Sequence, residues 1–165
     1  MLALTLPDQS MFMQEMINGT LFDHFLCSKV VLHHNVDYVI DGRYNLDFFD
    51  SDERAQKEAQ KYCSWTECRS IVFQMMKGSR LPQSFQIVLA ATRESMEKLL
   101  EKSPGTLTID QVEGLFLNIN YQNHTLHLTT GSSYSVFTMD RSLDQLFEEA
   151  VVKLLQLHHI TLEKD

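Results

Sequence analysis

In the last third of the chain, apolar residues recur first at every second position and then at every third or fourth. Over 112–121, Leu115, Leu117, Ile119 and Tyr121 alternate with Phe116, Asn118 and Asn120. This is the period of a strand with two unlike faces. Leu126 and Leu128 then alternate with Thr125, His127 and Thr129. Gln122-Asn123 predicts one tight turn and Gly131-Ser132-Ser133 a second, which makes Tyr134–Met139 the last strand of a three-stranded meander. From Ser142 the period changes. Leu143, Leu146, Phe147, Ala150, Val151, Leu154 and Leu155 form one helical stripe, opened by a capping box at Ser142 and Gln145. Asp144, Glu148 and Glu149 come early and Lys153, His158 and His159 late, matching the helix dipole. The stripe has to be buried, and the meander just upstream offers the nearest apolar face.

The same rules organise the rest. Residues 2–6 read as a strand, followed by a helix capped at Asp8 or Ser10 with Phe12, Met13, Met16 and Ile17 on one face, closed by Asn18-Gly19. Residues 27–34 and 36–40 read as strands. Asp41-Gly42 predicts a hairpin turn with 43–48 as the returning strand. A charged helix runs from Ser51 to about Tyr62, and a capping box at Ser64 and Glu67 opens a third helix with Trp65, Cys68, Val72, Met75 and Met76 inward. Ser84–Ala91 is almost wholly apolar, as in a central strand covered on both faces, and residues 92–102 form a short helix. Tight hairpins and segregated helices predict an α+β fold, a mostly antiparallel sheet of about 6–8 strands with helices packed on it.

Length, charge and cysteine count narrow the function classes. A chain of 165 residues fits one globular domain, 1–165. A net charge of −8 argues against sequence-independent nucleic-acid binding, which needs a basic footprint. Three cysteines form no even disulfide framework, and the start of the chain carries no cationic or long apolar leader, so a soluble, cytoplasmic protein with reduced thiols is expected. No segment approaches the roughly 20 apolar residues of a membrane span.

Candidate chemistry is sparse. Cys63 and Cys68 lack the second, closely spaced pair of a tetrahedral zinc site, so no metal or other cofactor is expected, and Cys68 reads as a small core residue. His33-His34 point to opposite faces of a strand, His158-His159 suit a helix C-terminus, and His124 with His127 could meet only across a turn; solvated histidines are expected throughout. There is no G-x-S-x-G elbow, no dinucleotide glycine pattern and no P-loop. The one polar cluster is basic. Arg69 and Lys77 fall on roughly one side of the third helix, with Arg80 in the loop after it, and Arg43 follows the Asp-Gly turn. Together they form a candidate site for a carboxylate or phosphate.

Ile40-Asp41-Gly42-Arg43, Ser64-Trp65 with Arg69, Phe73-Gln74 with Lys77-Gly78 and Pro82, and Thr130 to Tyr134 with Asp140-Arg141 together resemble an uncharacterised bacterial single-domain family, a domain of unknown function. The resemblance covers most of the chain. It implies a bacterial, cytoplasmic protein and assigns no residue a role. The expectation is therefore a binding or protein-interaction module without catalysis, with another protein or a second copy of the chain as partner. The alternative is a small anion-binding protein or small enzyme using Arg43, Arg69, Lys77 and Arg80.

Overall fold

The computed structural model describes residues 1–165. Its strands are β1 (Ala3–Thr5), β2 (Phe25–His33), β3 (Asp37–Asp41), β4 (Cys63–Ser64), β5 (Ser84–Ala91), β6 (Val112–Gln122), β7 (Thr125–Tyr134) and β8 (Glu163–Lys164). Its helices are α1 (Gln9–Ile17), α2 (Ser51–Gln60), α3 (Trp65–Met76), α4 (Arg93–Lys102) and α5 (Ser142–Leu157). All strands join one antiparallel sheet in the order β3-β2-β5-β6-β7-β1-β8, with β4 added to β2. This is the α+β architecture that the strand and helix patterns predict.

The alternation in β6 decides which face is covered. Phe85 pairs with Tyr121, Ile87 with Ile119 and Leu89 with Leu117. Ile119 in turn opposes Leu128, and Leu128 opposes Leu4. Paired residues point to the same side, so these apolar chains make one continuous floor. Helices close it from above. Leu143, Phe147, Val151 and Leu155 of α5 are all buried at four-residue spacing, and Phe12 and Met16 of α1 and Trp65 and Val72 of α3 complete one core cluster. Burying four such α5 side chains contributes roughly 6–12 kcal/mol before entropy, as much as the whole net stability of a typical domain. The stripe and the sheet beneath it are therefore one folding unit.

Four expectations are corrected. The Gly131-Ser132-Ser133 segment does not turn: it continues β7, pairing with Phe116, Leu115 and Gly114 because β6 is long enough to offer a ladder partner throughout. Residues 135–141 are then an irregular link to α5, and the edge of β7 is taken by β1 instead of a third meander strand. Asp41-Gly42 makes no hairpin either. The β2–β3 turn lies at residues 34–36, where the His34 amide donates to the Val36 carbonyl at 3.2 Å. Gly42 is needed for close approach, since a Cβ there would stand 1.7 Å from the Cys27 carbonyl oxygen. After it, Arg43 makes only an isolated bridge with Tyr62. Third, β5 is central but covered on one face along most of its length, with Gln86 and Val88 half-buried on the other. Last, the capping boxes are replaced by other contacts. Asp140 accepts from the Ser142 amide at 2.9 Å, and Ser64 Oγ donates to Glu67 Oε1 at 2.9 Å without capping a backbone amide.

The β6–β7 turn falls one residue beyond its expected place, at Asn123-His124. Both residues have positive φ, 52° and 61°, the backbone that a two-residue hairpin loop requires.

Candidate functional site

The structure gives the four basic residues different neighbours. Arg43 Nη2 donates to Asp41 Oδ2 at 2.9 Å and its Nε to Oδ1 at 3.2 Å. The Arg43 guanidinium holds the Asp41 carboxyl below its ordinary range. Arg43 lines a shallow groove with Ser28, Lys29, Ile40 and Tyr62. Arg69 lies elsewhere, on α3, where its Nη1 donates to the Gly19 carbonyl at 2.7 Å and to Asp23 Oδ1 at 2.6 Å. Lys77 and Arg80, at the end of α3 and in the following loop, are exposed and carry no carboxylate partner. The Arg80 carbonyl lies 3.1 Å from His34 Nε2. Arg43 and Arg69 are thus already neutralised by carboxylates, whereas Lys77 and Arg80 share one loop with their charges unspent.

That loop borders a pocket. Met76, Leu81 and Pro82 line a cavity of about 460 Å³ together with Gln9, Ser10 and Met13 of α1 and Phe85, Tyr121 and Leu126 of the sheet. The volume lies within the roughly 300–1,000 Å³ of small-molecule sites. Its floor is the pair Phe85–Tyr121, stacked with ring centroids 5.3 Å apart. At its rim Gln9 Nε2 donates to the His124 carbonyl at 2.7 Å, tying α1 to the β6–β7 turn. The walls include two methionines, adaptable to an irregular guest. Lys77 and Arg80 directly flank the lining residues Met76 and Leu81, and Asp8, which precedes Gln9, is engaged as the N-cap of α1, accepting from the Met11 amide at 3.1 Å.

The cysteines are the third feature. Cys27 on β2 and Cys63 on β4 are directly opposed in the ladder. Cys68 follows on the first turn of α3, and the three Sγ atoms all lie within 4.8 Å of one another. Cys63 Sγ and Cys68 Sγ are 2.8 Å apart. Cys27 and Cys68 are buried and Cys63 half-buried, and none is in a disulfide. The thiols of Cys27 and then Cys63 stabilise a charge on Cys68 and hold it far below the ordinary thiol range, at about 4. Hydrogen bonding to Cys63 and Cys68 together with burial pushes Cys27 far above it. Cys63, drawn down by Cys27 but pushed up more by Cys68 and by burial, ends at about 12.

Residue spacing alone pointed to neither the pocket nor the trio. Phe85, Tyr121 and Met13 read as core positions, and only the fold shows that α1 and the loop after α3 stand apart over them. Cys27 and Cys63 are 36 residues apart, and nothing in the chain announces that β2 and β4 pair. The histidines find separate partners: His33 Nδ1 lies 2.8 Å from Asp37, His158 Nδ1 3.0 Å from Glu15 and His127 Nδ1 3.1 Å from Thr5 Oγ1.

A one-faced antiparallel sheet with an apolar pocket beside it defines a small α+β protein. The chain belongs to the family of unknown function DUF5721, whose model matches residues 15–163. No curated protein and no solved structure matches it.

Proposed function

We propose that this protein is a non-catalytic binding module, cytoplasmic and soluble, that holds a small amphiphilic anion. The apolar body of the guest occupies the pocket between α1, the loop after α3 and the sheet. Its carboxylate or phosphate is held at the rim by Lys77 and Arg80. The observation that carries this reading is the pocket: six of its nine lining residues are hydrophobic, and both sheet aromatics in it are stacked into a flat floor. A ligand enclosed by such walls gains from apolar burial, and a few polar groups at the mouth fix its orientation. The unpartnered cations on the loop supply that fixing group, and a charge-assisted contact is the stronger kind. The three free thiols accord with a reducing compartment. No helix is long and apolar enough to cross a membrane.

Thermal denaturation of the full chain with decanoate, decanol and inorganic phosphate tests the reading. Decanoate is expected to raise the melting temperature by mass action, decanol to raise it less, and phosphate alone to leave it unchanged. Met13→Trp, which fills the pocket, should abolish the decanoate shift. Replacing Lys77 and Arg80 together by alanine should bring decanoate down to the level of decanol. No shift with either apolar probe would refute the proposal.

A further inference from the structure

The thiol trio is assembled by three separate features of the fold. Antiparallel pairing of β2 with β4 sets Cys27 and Cys63 side by side. The strand-to-helix corner at Ser64 brings α3 in at once, and side chains on a helix tilt toward its N-terminus, so Cys68 returns over Cys63. Gly42 locks the pair from behind: its carbonyl accepts from the Cys63 amide at 2.8 Å, and its lack of a side chain lets it lie against the Cys27 carbonyl.

Ordinary core packing accounts for the burial of Cys27 and Cys68, since free cysteine behaves as a small hydrophobe. It does not account for the convergence of all three sulfurs, nor for half-buried Cys63 turning inward to within 2.8 Å of Cys68. Two thiols gain little from each other, being weak donors and weak acceptors. Three sulfurs with no nitrogen or oxygen donor among them form a soft ligand set, which selects thiophilic d10 cations.

We propose that Cys27, Cys63 and Cys68 form a three-thiolate site for a thiophilic d10 cation, Zn²⁺ in preference to Cu⁺, with a fourth coordination position open on the Cys63 side. Charge sets the preference. Three thiolates leave a buried complex at −1 with Zn²⁺ and at −2 with Cu⁺, and buried net charge is costly. Sulfurs bound at about 2.3 Å to a tetrahedral zinc stand roughly 3.8 Å apart. The cation therefore enters by parting Cys63 from Cys68 by about 1 Å, and Cys63 lies toward solvent, where there is room to move. Each sulfur binds as a thiolate, so the protons carried by the thiols leave to solvent as the metal–sulfur bonds form. No electron is transferred.

The reduced full chain, titrated anaerobically with Co²⁺ and then Zn²⁺ and, in a separate sample, with Cu⁺, tests the site. Expected are one equivalent bound, the sulfur-to-cobalt charge-transfer band and visible bands of a tetrahedral thiolate centre, and bleaching by Zn²⁺. Cys63→Ser and Cys68→Ser should each weaken Zn²⁺ binding by at least about tenfold, the loss that even outer-layer changes cause at metal sites. Circular dichroism checks that each variant folds. If either does not, protection of all three wild-type thiols from alkylation by one equivalent of Zn²⁺ is the deciding measurement. Four results would overturn the proposal: no binding by the reduced chain, undiminished binding by Cys63→Ser, retention of Cu⁺ but not Zn²⁺, or a Cys63–Cys68 disulfide that persists in reductant and excludes the metal.

Discussion

The indole Nε1 of Trp65 donates to the carbonyl of Met16 at 3.0 Å, fastening the first residue of α3 to α1 inside the core. Trp65 has no exposed surface. Trp65→Phe keeps most of the apolar volume but leaves the Met16 carbonyl unpaired, at a cost of about 1–3 kcal/mol. Trp65→Ala adds a cavity and should cost about 3–5 kcal/mol. Urea denaturation of the two variants measures both, and the phenylalanine variant should also loosen the α1 wall of the pocket and so weaken probe binding.

Gly42 gives a sharper test of backbone packing. An added Cβ meets the Cys27 carbonyl oxygen at 1.7 Å and the Ser28 carbonyl oxygen at 3.1 Å. Both atoms belong to β2 at its bulge between Cys27 and Lys29, and backbone cannot swing aside as a side chain can. Gly42→Ala is expected to destabilise by more than about 3 kcal/mol, in the tail of point-mutant effects. Gly131→Ala, where the only neighbour is 3.9 Å away, should change stability by under about 1 kcal/mol. Chemical denaturation of the pair reads the difference directly.

Arg69 bridges two elements of the fold. Its link to Asp23 and the Gly19 carbonyl ties α3 to the connector between α1 and β2, and both side chains of the pair are about a quarter exposed (28% and 27%). Asp23→Asn and Arg69→Gln should each destabilise, and a double-mutant cycle should return a coupling of about 0.5–3 kcal/mol. A decanoate shift that survives in Arg69→Gln, scaled to its lower starting temperature, separates this residue from the pocket.

Two tyrosines set an alkaline limit. Burial and then donation to Asp144 at 2.6 Å push the Tyr134 hydroxyl from an ordinary 10 up to about 12. Burial, followed by its hydrogen bond to Glu67, pushes Tyr44 higher still. The folded state therefore keeps protons that the unfolded chain loses first. This contribution to stability is full below pH 10 and is lost as pH rises toward about 12. Tyr134→Phe should flatten that fall while costing about 0.5–1.5 kcal/mol at neutral pH for the lost hydrogen bond. Denaturation curves across the alkaline range check both signs.

The stripe of α5 and the alternation of β6 were legible because each is a periodic pattern satisfied by one face. The turns were less so. Gly131-Ser132-Ser133 has turn chemistry, yet β6 opposes it residue by residue and the ladder wins over local preference. Asp41-Gly42 has hairpin chemistry, yet its glycine serves the approach to Cys27. Among the cations, the Asp41–Arg43 pair is two residues apart and readable in principle. Arg69 meets Asp23 across 46 residues, and only the fold can supply such a partner. The thiol trio and the pocket are legible in the same limited sense. The sequence displays the cysteines and the inward methionines, but their convergence is a product of strand order.

The binding reading rests on whether the space beneath α1 takes a guest. Amide and methyl NMR spectra of the labelled chain, recorded during titration with decanoate, measure that most directly. The expected result is saturable shifts centred on Met13, Met76, Leu81, Phe85, Tyr121 and Leu126, with smaller ones at Lys77 and Arg80. Unchanged spectra, or changes scattered over the surface with none at Phe85 and Tyr121, would contradict it.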